Sequence, residues 1–217
     1  MKSTWFGDSK RYEFAKCLKA ADYSLQTWDV VDCFLKASFG AHCQGLRALA
    51  MKELCPEIEK GVIEAQERVK HPIRLSECYA MLVMALEEEA YDFLGSVLSE
   101  LEQVDKSGKG QCFTPPALCE VMAEMTLKDA RPGDRLRLHE PSVGGGATVI
   151  AASEVLKARG FFPWHYYVDA VDVDWRMYAI SFLQFSLLGI PATVRWGNTL
   201  TLESWGSVRT FAAVMHP

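Results

Sequence analysis

Several features are missing from this sequence of 217 residues, and each absence excludes a class of protein. No apolar run approaches the ~20 residues that a transmembrane helix needs, and the N-terminus lacks the pattern of a signal peptide. The seven cysteines form no CxxC pair and are irregularly spaced, which is typical of reduced, buried thiols. We therefore expect a cytoplasmic protein with no membrane segment, no disulfide framework and no metal site.

Basic residues are too few for a general nucleic-acid binder. The chain has 23 lysines and arginines against 28 acidic residues, which gives a net charge of −5. Contact with DNA would therefore need a local basic patch or a partner subunit. Hydrophobic residues make up 49% of the chain, so one large domain or two small ones can bury a core.

Two common phosphate-binding signatures are absent as well. The charged, glycine-rich stretch at residues 105–110 resembles a Walker loop in composition, but the GxxxxGK[ST] pattern does not occur. The glycine turn at residues 144–146 does not follow the GxGxxG pattern of dinucleotide sites. The sequence thus favours neither nucleotide hydrolysis nor dinucleotide binding.

Periodicity divides the chain into a helical part and an α/β part. Apolar residues recur at three- and four-residue steps through residues 8–104, which predicts a helical domain over 1–104. Residues 105–116 predict a linker, and 117–217 a second domain. In that domain strands are predicted at 135–140, 166–173, 192–196 and 211–215, with helices at 147–159 and 174–188. This alternation predicts a parallel sheet with helices on both faces.

Candidate ligand groups follow three of the predicted strands, at the carboxyl ends where α/β sheets bind ligands. Glu140 and three glycines follow the first strand, Asp172 or Asp174 ends the second, and Asn198 follows the third. Glycines let backbone approach a ligand closely. An acidic residue argues against phosphate and suits S-adenosylmethionine, which carries ribose hydroxyls and an ammonium group. The alternative is a glycine turn shaped only for packing.

Three short motifs carry a resemblance to the N6-adenine DNA methyltransferases, especially the modification subunits of type I restriction systems. Tyr91-Asp92-Phe93-Leu94-Gly95 is similar to the family's helix before the cofactor motifs. GQCFTPP at 110–116 looks like the family's G-[EQ]-x-[FY]-T-P segment, and EPSVGGG at 140–146 looks like its D-P-[AS]-x-G-x-G motif. The resemblance covers about residues 91–217. It implies a Rossmann-like class I methyltransferase sheet, shortened here, behind the N-terminal α-helical domain.

The resemblance also implies which residues bind S-adenosylmethionine. One group closes over the methionine end, a second holds the amino acid and ribose region, and two residues contact the ribose and the adenine. In that order these are Phe113, Thr114 and Pro115; Glu140, Pro141, Ser142, Gly144, Gly145 and Gly146; Asp172; and Asn198.

The catalytic motif is the part that departs from the family. The family places N-P-P-[FY] after its fourth strand, where a flipped-out adenine stacks on the aromatic ring. Here the corresponding residues are His216 and Pro217, and the second proline, the aromatic and strands five to seven are absent from the sequence.

The family-like cofactor motifs and the altered catalytic motif together indicate three candidate functions. The first is transfer of a methyl group to adenine in DNA by an S-adenosylmethionine-dependent enzyme. The second is an inactive methyltransferase-like module that binds the cofactor or a restriction-modification partner in a regulatory role. The third is a small-molecule or protein methyltransferase, since no target-recognition segment is visible.

The predicted fourth strand also bears on partners. In the complete fold this strand is central, whereas here the run at 211–215 would be an apolar sheet edge, which is a liability in water. We therefore expect a homo-oligomer, or association with another methyltransferase or restriction subunit. DNA would then be contacted directly or only through such a partner.

Overall fold

The computed structural model describes residues 8–50, 56–105 and 114–215, except for the side chains of 103–105. It divides the chain into two compact units, one of Met1–Glu88 with Ser96–Lys109 and one of Glu89–Gly95 with Gly110–Pro217. The predicted domain boundaries at residues 104 and 116 stay a prediction, because most of the predicted linker lies outside the described residues.

The first unit is helical, as predicted. Asp8 starts the first helix by accepting a hydrogen bond from the N–H of Lys10 at 3.0 Å, and Pro56 starts another, where its missing N–H is harmless. Side chains at helical spacing, such as Phe14 and Phe34, meet edge to face with centroids 5.5 Å apart in the core. The helices are α1 (Ser9–Lys19), α2 (Thr27–Leu49), α3 (Pro56–Glu67), α4 (Ile73–Glu88) and the later part of α5 (Phe93–Asp105).

The second unit is an α/β sheet with the strand order β1-β2-β3-β4. The first three strands are parallel, with Leu138 beside Val168 and Val168 beside Ala192. The fourth strand is antiparallel to the third. The elements are α6 (Pro116–Thr126), β1 (Leu136–Glu140), α7 (Ala147–Ala158), β2 (Tyr166–Asp172), α8 (Trp175–Leu187), β3 (Ala192–Asn198), β4 (Glu203–Arg209) and α9 (Phe211–Met215).

The prediction of a parallel strand at residues 211–215 is wrong. These residues form the short helix α9, and the fourth strand is β4, which returns from β3 through a tight turn. A five-residue apolar run carries too little periodicity to separate strand from helix. The two alanines in this run also favour a helix. The sheet is therefore mixed.

The prediction of helices on both faces is also wrong for the described residues. Side chains at alternate positions, such as Val168 and Val194, are fully buried on the face that α8 covers. Most of those at the intervening positions are exposed or half-exposed, among them Arg137 and Arg195, although Val171 beside Arg195 is buried. Alternation of this kind is typical of a sheet with one solvated face, which the prediction overlooked.

The sheet edges differ from the predicted apolar edge. β1 and β4 are the outer strands, and β1 carries the exposed Arg137 and His139 while most of β4 is exposed and polar. Charged edges of this kind resist pairing with other chains. The stated reason for oligomerisation is therefore wrong, and oligomerisation itself stays a prediction.

Thr210 lies between β4 and α9 and connects them to the start of β3. Its buried hydroxyl donates to the carbonyl of Ile190 at 2.7 Å and accepts from the N–H of Ala192 at 3.0 Å. The N–H of Thr210 in turn donates to the carbonyl of Ala192 at 3.0 Å. One side chain thus satisfies two buried backbone groups that the antiparallel ladder does not reach.

We expect Thr210→Val to lower the free energy of unfolding by about 1–3 kcal/mol, because the N–H of Ala192 loses its buried acceptor. Urea denaturation followed by tryptophan fluorescence measures the loss. Thr210→Ser keeps the hydroxyl and is the matched control. Equal stability of the valine and serine variants would contradict this role of the hydroxyl.

Candidate functional site

The structure brings the residues after β1, β2 and β3 together. The N–H of Gly144 donates to Oδ2 of Asp172 at 2.8 Å, which ties the glycine turn to the end of β2. The hydroxyl of Thr199, next to Asn198, donates to the carbonyl of Pro141 at 2.6 Å. The turn between β1 and α7, the end of β2 and the β3–β4 turn therefore form one surface at the carboxyl ends of the strands.

Asp172 and Asp174 have different positions at the end of β2. Asp172 is buried and accepts from the N–H groups of Gly144 and Asp174, at 2.8 and 2.9 Å. Burial raises the pKa of Asp172, and these two backbone hydrogen bonds oppose the rise. Asp174 caps α8 through the N–H of Arg176 at 2.8 Å. Asp172 is thus the carboxylate in the turn, and its oxygens retain lone pairs for a ligand hydroxyl.

Glu140 holds both sides of the glycine turn. One carboxylate oxygen accepts from the N–H of Ser142 at 3.3 Å, and the other accepts from the hydroxyl of Thr148 at 2.8 Å. The backbone between these residues is therefore drawn around the carboxylate, while Pro141 and Ser142 are exposed.

The three glycines of the turn have different surroundings. A Cβ atom on Gly145 would lie 2.2 Å from Oδ2 of Asp92, and one on Gly146 would lie 2.6 Å from the ring of Phe185. These two positions require glycine for close packing. Gly144, with φ of +55°, has no atom within 4 Å of an added Cβ. Among the described residues, Gly144 thus faces open space, as a backbone that contacts a ligand would.

A buried hydrogen-bond network, not predicted from the sequence, supports the buried side of the glycine turn. The side-chain amide of Gln184 on α8 donates to Oδ1 of Asp92 at 2.9 Å and to the carbonyl of Gly145 at 2.8 Å. Its carbonyl accepts from the N–H of Leu94 at 3.0 Å. Asp92 also accepts from the N–H of Gly95 at 2.8 Å. Gln184 therefore connects the glycine turn to the segment that begins α5.

A sequence signal for this network exists. Gln184 is the one amide in an otherwise apolar stretch of α8, Ile180 to Leu187 apart from two serines, and a polar residue in such a stretch needs a buried partner. Asp92 lies in the YDFLG motif, to which the sequence alone assigned no function.

The site is negatively charged. Burial raises the pKa of Asp92, against the lowering effect of its hydrogen bonds from Gln184 and Gly95. Burial also raises the pKa of the Cys119 thiol, and the nearby charges of Asp92 and Glu140 add to that rise. A surface bordered by Glu140 and Asp172 repels phosphate, attracts a cation and accepts hydrogen bonds from hydroxyls.

Some of the remaining predicted site residues lie within the part of the chain that the structure describes, and others do not. Pro115 is exposed and precedes α6, and the carbonyl of Thr114 accepts from the thiol of Cys119 at 3.7 Å. Oδ1 of Asn198 accepts from the N–H groups of Leu200 and Thr201 at 2.9 and 3.3 Å, which shapes the β3–β4 turn. Phe113, His216 and Pro217 lie outside the described residues.

The described residues contain no group of three or more His, Cys, Asp or Glu side chains arranged to hold a metal ion. Within the same ranges, no helix combines the length and apolar character needed to cross a membrane.

We expect Gln184→Leu to destabilise the α/β unit by about 3 kcal/mol or more, since it removes the side-chain partner of the carbonyl of Gly145 and of the N–H of Leu94, and one of the hydrogen bonds of Asp92. Chemical denaturation measures the change. Gln66→Leu, on an exposed face of α3, is the matched control and should cost little. A small, equal effect of both substitutions would show that the network does not support the fold.

The raised pKa of Asp92 predicts a pH dependence. A carboxyl group with a higher pKa in the folded than in the unfolded protein contributes stability when protonated, and this contribution is lost as the pH rises through the raised pKa. We therefore expect the stability of Asp92→Asn to increase relative to that of the wild type as the pH rises above ~4, the usual pKa of an aspartate. Urea denaturation at several pH values tests this. A pH-independent difference would contradict it.

Comparison with known proteins identifies a family that matches this sequence. The family described as N-6 DNA Methylase matches residues 88–216. A solved structure of a provisionally assigned class I S-adenosylmethionine-dependent methyltransferase from Listeria monocytogenes is similar, with a TM-score of 0.53 and 14% identity over 88% of this chain and 54% of the other. This likeness confirms the predicted shortened Rossmann-like fold.

A type I restriction-modification methyltransferase subunit from Streptococcus thermophilus is also similar, with a TM-score of 0.48 and 11% identity over 91% of this chain and 59% of the other. This chain thus spans little more than half the length of either protein. No curated protein matches the sequence significantly. Since the family match extends over more than half of the sequence, this chain belongs to the N-6 DNA methylase family.

Proposed function

We propose that this chain binds S-adenosylmethionine at the turn between β1 and α7 and transfers its methyl group to the N6 atom of adenine in DNA. The observation that carries the proposal is the open backbone at Gly144 between the carboxylates of Glu140 and Asp172. Membership of the N-6 DNA methylase family supports the same activity.

The chemistry of the site fits this cofactor. S-adenosylmethionine carries a positive sulfonium, which supplies the methyl group, together with an ammonium group and a ribose diol. The negative charge of Glu140 suits the ammonium group, and the remaining lone pairs of Asp172 suit the ribose hydroxyls. The proposal keeps Pro141, Ser142, Gly145 and Gly146 as the rest of the turn, with Phe113, Thr114 and Pro115 at the methionine end and Asn198 at the adenine.

The proposed catalytic residues are His216 and Pro217. A neutral imidazole accepts one hydrogen bond, so His216 would orient the adenine amino group toward the methyl donor. The carbonyl of Pro217 would be a second acceptor. The target base must leave the DNA stack to reach such a site. Catalysis by these groups would consist of positioning and electrostatic stabilisation.

A regulatory module without catalytic activity is the second candidate. The observation that favours it is α9, because the residues just before His216 form a short helix and not the strand that the family's catalytic motif follows. Such a module would bind the cofactor, or a restriction-modification partner, without transferring the methyl group. Transfer of tritiated methyl from S-adenosylmethionine to mixed-sequence DNA separates the two candidates, since only the enzyme incorporates tritium.

The proposed partners are DNA, contacted directly or through another subunit, and a second protein chain. Large apolar side chains exposed on α6, such as Leu118, Val121 and Met125, give a reason to measure the oligomeric state. We further propose a cytoplasmic location.

Charge-removing variants test the cofactor site. We expect Glu140→Gln to weaken S-adenosylmethionine binding about tenfold, because it removes the charge that faces the ammonium group. The glutamine amide still offers a hydrogen bond to each of the two local partners of Glu140. The same variant should bind 5′-methylthioadenosine, which lacks the amino acid, as well as the wild type does. Asp172→Asn should weaken the binding of both ligands, because both carry the ribose. Isothermal titration calorimetry measures the affinity of both ligands for the wild type and for the two variants.

Glu154→Gln, on the exposed side of α7, is the matched control and should bind like the wild type. The absence of S-adenosylmethionine binding by the wild-type chain would remove the cofactor proposal. An equal loss of both ligands in Glu140→Gln would move Glu140 away from the amino acid end.

A further inference from the structure

The solvated face of the sheet contains a groove of about 670 Å³. It runs over side chains on the solvated face, including Arg137, Tyr167, Thr193 and Arg195, and reaches Trp164 and Arg209 at one border. This border lies at the amino ends of the parallel strands. The groove is therefore separate from the cofactor turn, which lies at their carboxyl ends. We name it the open-face groove.

Positive charge is concentrated in this groove. The α/β unit, residues 89–95 and 110–217, has nine basic and twelve acidic residues. Four of the nine basic residues line the groove, but Asp169 is its one acidic lining residue. A unit with a negative net charge thus has one strongly positive surface, which is the local basic patch that DNA contact by this acidic chain would require. The four basic residues are Arg135, Arg137, Arg195 and Arg209.

The single acidic residue cannot neutralise these arginines. Asp169 pairs with Nε of Arg195 at 3.1 Å and lies 3.9 Å from Nδ1 of His139. The guanidinium of Arg209 donates to the carbonyl of Ala213 and meets no acidic side chain there. In the part of the chain that the structure describes, neither Arg135 nor Arg137 has an acidic partner. At least two guanidinium groups are therefore available to an anion.

An exposed aromatic pair lies at the border of the groove. Phe162 and Trp164 are stacked with centroids 4.6 Å apart and an interplanar angle of 8°, and each residue is 52% exposed. Exposed aromatic rings beside a cationic groove are the combination with which proteins bind single-stranded nucleic acids, since bases stack on the rings while the cations follow the phosphates. An acidic protein segment would use the arginines and leave the rings without a function.

We propose that the open-face groove binds a single-stranded nucleic acid, with phosphates on Arg135 and Arg137 and a base stacked at Trp164. The groove and the cofactor turn lie at opposite ends of the strands. This proposal therefore does not depend on cofactor binding or methyl transfer, and the failure of either proposal would leave the other standing.

Fluorescence anisotropy with a labelled 20-nucleotide oligothymidine, titrated at several salt concentrations, tests the proposal. The variant Arg135→Gln/Arg137→Gln should bind at least tenfold more weakly at 50 mM salt. Its slope of log K against log salt should be smaller by about 1.4, because each lost phosphate contact on a single strand removes about 0.7. Lys128→Gln/Lys157→Gln removes the same charge from exposed positions outside the groove and is the control. An unchanged slope in the arginine variant would overturn the proposal.

A second variant isolates the stacking contact. Trp164→Leu should weaken oligothymidine binding about tenfold and leave binding to an abasic strand of the same length unchanged, because only the former offers a base to the ring. Equal losses on both strands would overturn the stacking contact. Tighter binding of a blunt duplex, or equal competition by polyglutamate, would overturn the choice of a single-stranded nucleic acid. Circular dichroism of each variant establishes that the fold is retained.

Discussion

The hydrogen bonds of one buried amide hold the glycine turn in position. Gln184 contacts Asp92, the carbonyl of Gly145 and the N–H of Leu94, so a single side chain connects α8 to two segments that are distant from it in sequence. In a dry interior each of these groups needs a partner, because leaving any one unpaired costs about 1–3 kcal/mol. The network therefore allows one arrangement of the turn against α8 and the segment from Asp92 to Gly95. The same arrangement explains why Gly145 has no room for a side chain and why Gly144, its neighbour, is left facing outward.

The α/β unit separates its charges by strand end. Carboxylates gather where β1 and β2 end, and arginines gather over the open face toward the ends where these strands begin. This separation follows from the fold, since the carboxyl ends of parallel strands meet at one edge and alternate residues of each strand share one face. A net charge near zero or below can thus coexist with a surface of strong positive potential. The cationic ligand and the anionic ligand that we propose would approach different edges of one small sheet.

Much of the fold could be predicted from the sequence. The helical first unit, the strands β1 to β3 and the approach of Glu140, Asp172 and Asn198 follow from periodicity and from the rule for strand ends. The segment at 211–215 could not be assigned, because its helix depends on the tertiary contacts of Thr210 with Ile190 and Ala192. The motif residues of the turn could be found in the same way, but the contact between Asp92 and Gln184 joins residues 92 positions apart and leaves no local pattern. The open face could have been read from the alternation in β1 and β3, a signal that the expectation of a doubly covered sheet obscured.

The tight turn between β3 and β4 has a consequence for the order in which the unit folds. A hairpin joins neighbouring residues and closes within microseconds, whereas contacts between distant residues form only after a long loop has closed. Asn198 and Glu203 pair across this hairpin, while the segment at Asp92 must find α8 across most of the unit. We therefore expect the edge of the sheet to form early and the support of the glycine turn to form last. Elements that dock last through few contacts tend to open most readily in the native state. The glycine turn would then open more readily than the β3–β4 hairpin, although both contribute to the surface that we propose for the cofactor.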